Sequence, residues 1–115
     1  MSARGYLHRL DLRSRSWAEP LRDDGETYIW NLCRGDDGFV YGSTYPGCVL
    51  LRYDPAAHRL ENMGRMSDVA DNQYTRYVYA VPGHILVECW SAQRHLTLWN
   101  LATSNNAALA VLARW

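Results

Sequence analysis

The residues whose types and spacing best suit ligand binding form two pairs: Tyr28 with Trp30, and Tyr74 with Arg76. The members of each pair stand two residues apart, so in a β-strand both side chains project from the same face. Aromatic rings offer flat apolar surface to a sugar ring, and a planar guanidinium can bind a carboxylate or a diol through two parallel hydrogen bonds. These four residues are the candidate ligand site. The structural alternative is that the aromatic rings pack between sheets and Arg76 pairs with an acid.

Other reactive side chains give weaker signals. The acidic pairs at 23–24 and 36–37 stand beside glycine, so turn formation explains them better than a calcium loop does. Glu88 and His95 would flank one turn, where they could act as an acid–base pair or form an ordinary cross-strand contact. The histidines show no metal-ligand spacing, so we expect neither a metal nor a cofactor; they are His8, His58, His84 and His95.

Composition excludes several classes of function. All 12 basic residues are arginine, which rules out a Schiff-base lysine and a Walker-type phosphate lysine. The formal net charge is zero and the charges are interspersed, so we expect neither a nucleic acid nor an anionic membrane as a partner. The apolar runs are too short for a transmembrane helix. The length is that of one domain.

The cysteines are odd in number and widely spaced: Cys33, Cys48 and Cys89. This is poor evidence for a disulfide framework or a zinc site. Buried free thiols are the favoured interpretation, and a pair across neighbouring strands remains open.

Two turn signals lie close together in the chain. Asp37-Gly38 is typical of a type I′ hairpin turn, in which both central residues have positive φ. The segment Tyr45-Pro46-Gly47 predicts a second turn, with the proline presetting φ and the glycine in the left-handed region. The stretch from 36 to 55 is therefore predicted to contain two strands, each following a turn.

The sequence pattern recurs along the chain. Arg9 and Asp11 lie in a string that returns 43 residues later around Arg52 and Asp54, and Trp99 occupies the place of Tyr53 at a distance of 46. The candidate site follows the same rule, because 28–32 aligns with 74–78, again 46 residues on. Periods of 40–50 residues made of short strands are typical of propeller blades.

This register predicts an all-β protein built of consecutive four-stranded antiparallel meanders. We expect a half blade at 6–20, a blade at 28–63 and a blade at 74–113. The asparagines and alanines of the segment 104–113 are typical of a capped helix, whereas its place in the repeat is that of an outer strand. Strand or irregular structure is favoured. The predicted strands fall near 6–12, 16–20, 28–34, 38–44, 48–54, 58–63, 74–80, 83–90 and 94–100.

The motifs resemble blades of bacterial β-propellers. They are a Tyr-x-Arg strand, an Asp-Gly turn, the hairpin sequence Tyr-Gly-Ser-Thr-Tyr-Pro-Gly and the strand end Arg-Tyr-Asp-Pro. The most similar groups are the streptogramin lyases, the gluconolactonases and the WD40, YVTN and quinoprotein-like propellers. The resemblance implies that first strands line a central channel and that their starts reach the ligand face. It covers most of 6–101 and carries no catalytic signature.

The leading hypothesis is a non-catalytic binding or interaction module that presents a small polar or carbohydrate-like ligand site within a larger propeller. The alternative is a fragment of a propeller enzyme of lyase or lactonase type, with its catalytic residues on other blades. About two and a half blades cannot close a ring of ~4–8 blades. The expected partners are therefore the remaining blades of a longer chain, or further copies of this one.

Overall fold

The prediction of an all-β fold is confirmed. A computed structural model describes residues 5–68, 72–90 and 94–111, and these residues contain strands and turns but no helix. It follows that none of them belongs to a helix long and apolar enough to cross a membrane. The strands are β1 (Tyr6–Leu7), β2 (Leu10–Asp11), β3 (Ser16–Trp17), β4 (Leu21–Arg22), β5 (Tyr28–Arg34), β6 (Val40–Tyr45), β7 (Val49–Asp54), β8 (Arg59–Arg65), β9 (Tyr74–Val81), β10 (His84–Trp90), β11 (Arg94–Asn100) and β12 (Asn105–Val111).

The strands form antiparallel sheets, and within the two four-stranded sheets each strand pairs with the next along the chain. One four-stranded sheet, which we call sheet 1, has the order β5-β6-β7-β8, and a second, sheet 2, has the order β9-β10-β11-β12. The first strands form an interrupted hairpin, in which β1 pairs with β4 and β2 pairs with β3. No described sheet closes on itself. The ambiguous end of the chain is a strand over Asn105–Val111.

The N-terminal hairpin differs from its prediction. The segment predicted as one strand is divided into β1 and β2, and the outer strand, predicted to end at Pro20, continues as β4. Leu21 and Arg22 pair with Leu7 and Tyr6 beyond the proline. Because proline has no N–H to donate, Pro20 interrupts the ladder without ending the hairpin.

The turn at Asp37-Gly38 is not of type I′. Only Gly38 has positive φ, at 84°. The backbone N–H of Gly35 donates to the carbonyl of Phe39 at 2.9 Å, so the connection is a longer loop than predicted. The Asp37 carboxylate closes this loop by accepting the N–H of Phe39 at 3.1 Å. This hydrogen bond explains why an aspartate stands at position 37 although its φ is not positive.

The same turn occurs at three places, after β2, β7 and β11. The Oδ1 atoms of Asp11, Asp54 and Asn100 each accept the backbone N–H groups two and three residues later, over 2.9–3.3 Å. Four residues after each of them the chain adopts positive φ, between 48° and 56°, and the residues that do so are Arg15, His58 and Ser104. Asparagine can replace aspartate because only the side-chain oxygen is used.

The main core lies between the two sheets and is crossed by a disulfide. Tyr41 and Leu50 of sheet 1 pack with Ile85, Val87 and Trp99 of sheet 2, all of them buried. Cys48 and Cys89 form a disulfide within this core, with their Cα atoms 6.0 Å apart. The prediction of free thiols is therefore wrong for these two cysteines and holds for Cys33. Only the packing of the sheets brings the two residues together, since they are 41 positions apart in sequence.

The hairpin packs against the other face of sheet 1 and is tied to it by polar contacts. The Tyr53 hydroxyl lies 3.1 Å from Nη1 of Arg9 and 2.9 Å from Nδ1 of His58. The other ring nitrogen of His58 lies 2.7 Å from the carbonyl oxygen of Glu19. Arg9 also donates to the carbonyl of Pro55 at 3.1 Å. One hydroxyl therefore joins both strands of the hairpin to sheet 1.

We expect Tyr53→Phe to lower the free energy of unfolding by about 1–2 kcal/mol, because it removes a hydroxyl that two neighbouring side chains contact. Urea denaturation measures the change. Arg22→Ala is the matched control, because that guanidinium contacts the Tyr6 ring at 5.5 Å on the same hairpin without joining it to sheet 1. Equal effects of the two substitutions would contradict the role assigned to the hydroxyl.

Candidate functional site

The structure brings Tyr28 and Trp30 together at the start of β5. Their ring centroids are 5.8 Å apart and the rings are stacked, as expected for side chains on one face. Tyr45 adds a third ring, 6.1 Å from Tyr28 and edge-on to it. The aromatic cluster therefore includes a residue of the partner strand β6 that the candidate site omitted. The pairing of Tyr28 with Tyr45 across the two strands explains its position.

The first strands of the two sheets carry a bulge at corresponding positions. In β5, Trp30 and Asn31 both oppose Ser43 of β6, because the register shifts between Ile29 and Leu32. In β9, the shift between Glu88 and Cys89 leaves Arg76 as the extra residue. Trp30 and Arg76 are the two members of the candidate site that the sequence aligned. Bulges redirect side chains and occur often beside binding sites.

For the second pair of the candidate site, the structure describes only the backbone. Tyr74 and Arg76 lie within β9. Their side chains lie outside the described part of the chain. The convergence of their side chains with Tyr28 and Trp30 therefore stays a prediction.

The two first strands are held side by side by hydrogen bonds that the sequence analysis missed. The Asn31 side-chain oxygen accepts the backbone N–H of Val78 at 3.0 Å. At the other end of the strands, the Asp36 carboxylate accepts the N–H of Gly83 at 2.7 Å. Asn31 lies in the bulge, and an asparagine within an apolar strand was the one signal available. These bonds hold β5 and β9 side by side at the middle of the strands and just beyond their ends.

A buried carboxylate supports the turn next to the aromatic cluster. Glu26 is buried, accepts the N–H of Gly47 at 2.8 Å and also accepts a hydrogen bond from the Thr44 hydroxyl. A Cβ atom on Gly47 would lie 2.7 Å from Oε1 of Glu26. The glycine therefore provides room for the carboxylate, and the prediction that it adopts the left-handed region is wrong. That conformation belongs to Cys48, with φ of 50°, after a cis Tyr45-Pro46 bond.

Gln73 lies at the start of β9, directly before the second pair of the candidate site. Its side chain is fully buried, and within the part of the chain that the structure describes neither its amide oxygen nor its amide nitrogen has a hydrogen-bond partner. Its backbone N–H donates to the carbonyl of Pro46 at 2.7 Å, which places it beside the supported turn. An unsatisfied buried amide is costly, and it marks a position where a water or a polar ligand group would be bound. The sequence analysis did not single out this residue.

A cleft of about 190 Å³ lies between the N-terminal hairpin and β5. Trp30 and Leu32 line it from the strand and are 42% and 51% exposed. Residues of the hairpin line its other side, and the full lining is Tyr6, Leu7, His8, Ile29, Trp30, Asn31 and Leu32. Trp30 therefore lines this cleft in addition to stacking on Tyr28.

Shifted pKa values occur at Glu61, Tyr41 and Cys33, none of which belongs to the candidate ligand site. The Arg52 guanidinium donates to Glu61 at 2.6 Å and, with Arg59, holds the pKa of the Glu61 carboxyl below its usual value. Burial and the hydrogen bond to Asp37 raise the pKa of the Tyr41 hydroxyl. Burial raises the pKa of the Cys33 thiol to about 11, which keeps it protonated and unreactive at neutral pH.

The strand register bears on the proposed contact between Glu88 and His95. His95 lies directly opposite Cys89, and Glu88 lies opposite Leu96. Adjacent residues of a strand project from opposite faces, so this register does not make the two a directly facing pair. The His95 side chain lies outside the described residues. The acid–base hypothesis gains no support from the register.

Comparison with known proteins shows the fold only. No family model matches the chain, and no curated protein matches it. It is similar to a solved structure described as the extracellular domain of a one-component system from B. thetaiotaomicron, with 17% sequence identity and a TM-score of 0.75. The match covers 98% of this chain and 15% of that one, so the chain spans a small part of the length of the protein it resembles.

Proposed function

We propose that the chain is part of a β-propeller and serves as a non-catalytic binding module. The observation that carries the propeller arrangement is the turn after β2, β7 and β11, with the same hydrogen bonds and the same positive-φ position each time. It supports the interpretation that the hairpin and the two sheets are successive copies of one structural unit. Stacked four-stranded meanders are the blades of such a fold.

The face of sheet 2 that points away from sheet 1 supports a further blade as the partner that would pack there. Tyr77 and Tyr79 stack with centroids 5.6 Å apart and are 44% and 45% exposed. At the corresponding positions of sheet 1, Asn31 bonds to β9 and Cys33 packs against the core. Sheet 2 covers that face of sheet 1, so a third sheet would cover the tyrosines in the same way.

The disulfide supports an oxidising compartment as the place of folding. Disulfides form in secreted and extracellular proteins and are rare in the cytosol. The structural neighbour is itself described as an extracellular domain. We infer that this chain is exported before it folds.

We place the ligand at the starts of β5 and β9, among the four residues Tyr28, Trp30, Tyr74 and Arg76. The aromatic cluster supplies surface for a sugar ring, and the arginine would bind its carboxylate or hydroxyl groups. The unsatisfied amide of Gln73 adds hydrogen-bonding capacity at the same strand ends. The ligand class is therefore a small carbohydrate or a sugar acid.

Saturation-transfer NMR with glucose and glucuronate as probes tests this site on the full chain. We expect Arg76→Leu to abolish binding while changing the free energy of unfolding by less than ~1 kcal/mol. Gln73→Leu should weaken binding without loss of stability, because replacing an unsatisfied amide by an apolar group of similar size removes a penalty. Trp17→Ala is the control, as this indole is 66% exposed and lies on the hairpin.

Three results would contradict the site. The first is the absence of binding by either probe to the unaltered chain at millimolar concentration. The second is a large loss of stability in Arg76→Leu with binding intact, which would make Arg76 a structural residue. Equal loss of binding in Trp17→Ala would place the ligand on the hairpin instead.

A further inference from the structure

The disulfide lies at the end of the two sheets that carries the candidate ligand site. On the side of sheet 1, Cys48 stands three residues after Tyr45 of the aromatic cluster. In sheet 2, Cys89 pairs with Thr75 of β9, which lies between the two site residues of that strand. The bond therefore joins the turn beside one half of the site to the sheet whose first strand carries the other half.

Buried hydroxyl groups surround the bond. Oγ1 of Thr75 lies 3.4 Å from Sγ of Cys48, and the same hydroxyl donates to the hydroxyl of Ser43. These three residues and Cys89 are at most 1% exposed. The sulfur atoms are therefore shielded from a dissolved dithiol in the folded chain. The oxidation state of the pair is accordingly set while the chain folds.

Backbone N–H groups at the start of β9, at its middle and beyond its end donate across to sheet 1. They are those of Gln73 to the carbonyl of Pro46 at 2.7 Å, of Val78 to Asn31 at 3.0 Å and of Gly83 to Asp36 at 2.7 Å. The disulfide lies nearest the first of these along the strand. The Gln73 side chain weakens this end, because its buried amide has no hydrogen-bond partner within the described ranges. We therefore expect this end to depend on the covalent bond more than the other end does.

We propose that oxidation of Cys48 and Cys89 completes the ligand site, so that the module binds its sugar or sugar acid tightly only after the bond has formed. The two thiols lose two electrons and two protons as the sulfur–sulfur bond forms. A small disulfide of the oxidising compartment takes these up and becomes two thiols. The bond then holds the backbones that carry Tyr28 and Arg76 at a fixed separation. This inference rests on the ligand site of the proposed function and makes binding depend on export.

Glucuronate affinity, titrated by saturation-transfer NMR, tests the proposal in full chains that all carry Cys33→Ala, so that no third thiol can exchange. We expect Cys48→Ala with Cys89→Ala to weaken binding roughly tenfold or more. Cys48→Ala with Cys89→Val refills the core with apolar atoms without restoring the link, and it should weaken binding equally. The chain that keeps both cysteines should bind weakly after refolding in dithiothreitol and fully after refolding with oxidised glutathione.

Trp99→Ala is the matched control for lost stability. Trp99 opposes Ile85, four residues along β10 from Cys89, so its removal destabilises the same core farther from the site. It should leave the affinity for glucuronate within about twofold of the unaltered chain, because the disulfide remains.

Amide hydrogen exchange gives a second readout that does not use the ligand. In both variants without the bond, the amide of Gln73 should exchange roughly tenfold faster relative to the amides of Val78 and Gly83. The reason is that the bond supports the hydrogen bond beside it and not those farther along the strand. In Trp99→Ala the three amides should keep their relative rates.

Equal affinity for glucuronate with and without the bond would overturn this inference alone and leave the ligand site in place. Absence of binding by the oxidised chain would overturn the ligand site and this inference with it. A uniform rise in exchange at Gln73, Val78 and Gly83 would also overturn the inference. The same holds if neither variant without the bond folds, because the bond would then support the whole fold and not the site.

Discussion

Cys48→Ala combined with Cys89→Ala is expected to lower the free energy of unfolding by about 3–4 kcal/mol. The bond joins residues 41 positions apart, so its removal releases a long loop in the unfolded chain. It also connects two sheets that are otherwise joined by one linker, their shared core and hydrogen bonds such as those of Asn31 and Asp36. Urea denaturation under oxidising conditions measures the change.

Cys33→Ala is the control for this pair, because Cys33 is a half-buried free thiol that packs at the margin of the core. Its effect should stay near ~1 kcal/mol. Addition of reductant should destabilise the unaltered chain and leave the double variant unchanged. A double variant as stable as the unaltered chain would show that the two sheets do not depend on the bond.

Trp99→Ala is expected to cost about 3–5 kcal/mol, the usual range for removing a buried tryptophan. Trp99 is 5% exposed and packs in the core between the two sheets. The cavity would lie in the core cluster that also contains the disulfide, Ile85 and Val87. Thermal and urea denaturation should give the same ranking of variants.

Trp17→Ala removes an indole of the same size from an exposed position and should cost under ~1 kcal/mol. The difference between the two tryptophan variants measures how much stability comes from the contact between the sheets. Similar costs at both positions would mean that Trp99 is not buried between two sheets in solution.

The strand order was predictable because each strand pairs with its neighbour in sequence. Alternation and turn residues then suffice to place β5 to β11 to within about two residues at either end. The recurrence of Asp11 and Asp54 was also visible in the sequence, because at each place one side-chain oxygen closes the same turn. Pro20 misled the prediction, because a proline within an edge strand interrupts pairing without ending the strand.

The contacts between sheets were not predictable from local pattern. Cys48 and Cys89 meet only because one sheet packs on the other, and the spacing of the cysteines contains no trace of that geometry. The stack of Tyr28 on Trp30 followed from strand alternation. Gln73 and Asn31 were missed because their importance comes from burial and from a neighbouring strand, neither of which a single strand reveals.

The most direct test of the account is the mapping of the disulfide by mass spectrometry after tryptic digestion without reduction. The central claim is that the two sheets pack face to face as successive units, and this packing alone brings the two cysteines together. The account predicts a linked species of residues 35–52 with 77–94, and residues 23–34 carrying a free Cys33. A bond that includes Cys33, or three free thiols in protein purified under oxidising conditions, would contradict it.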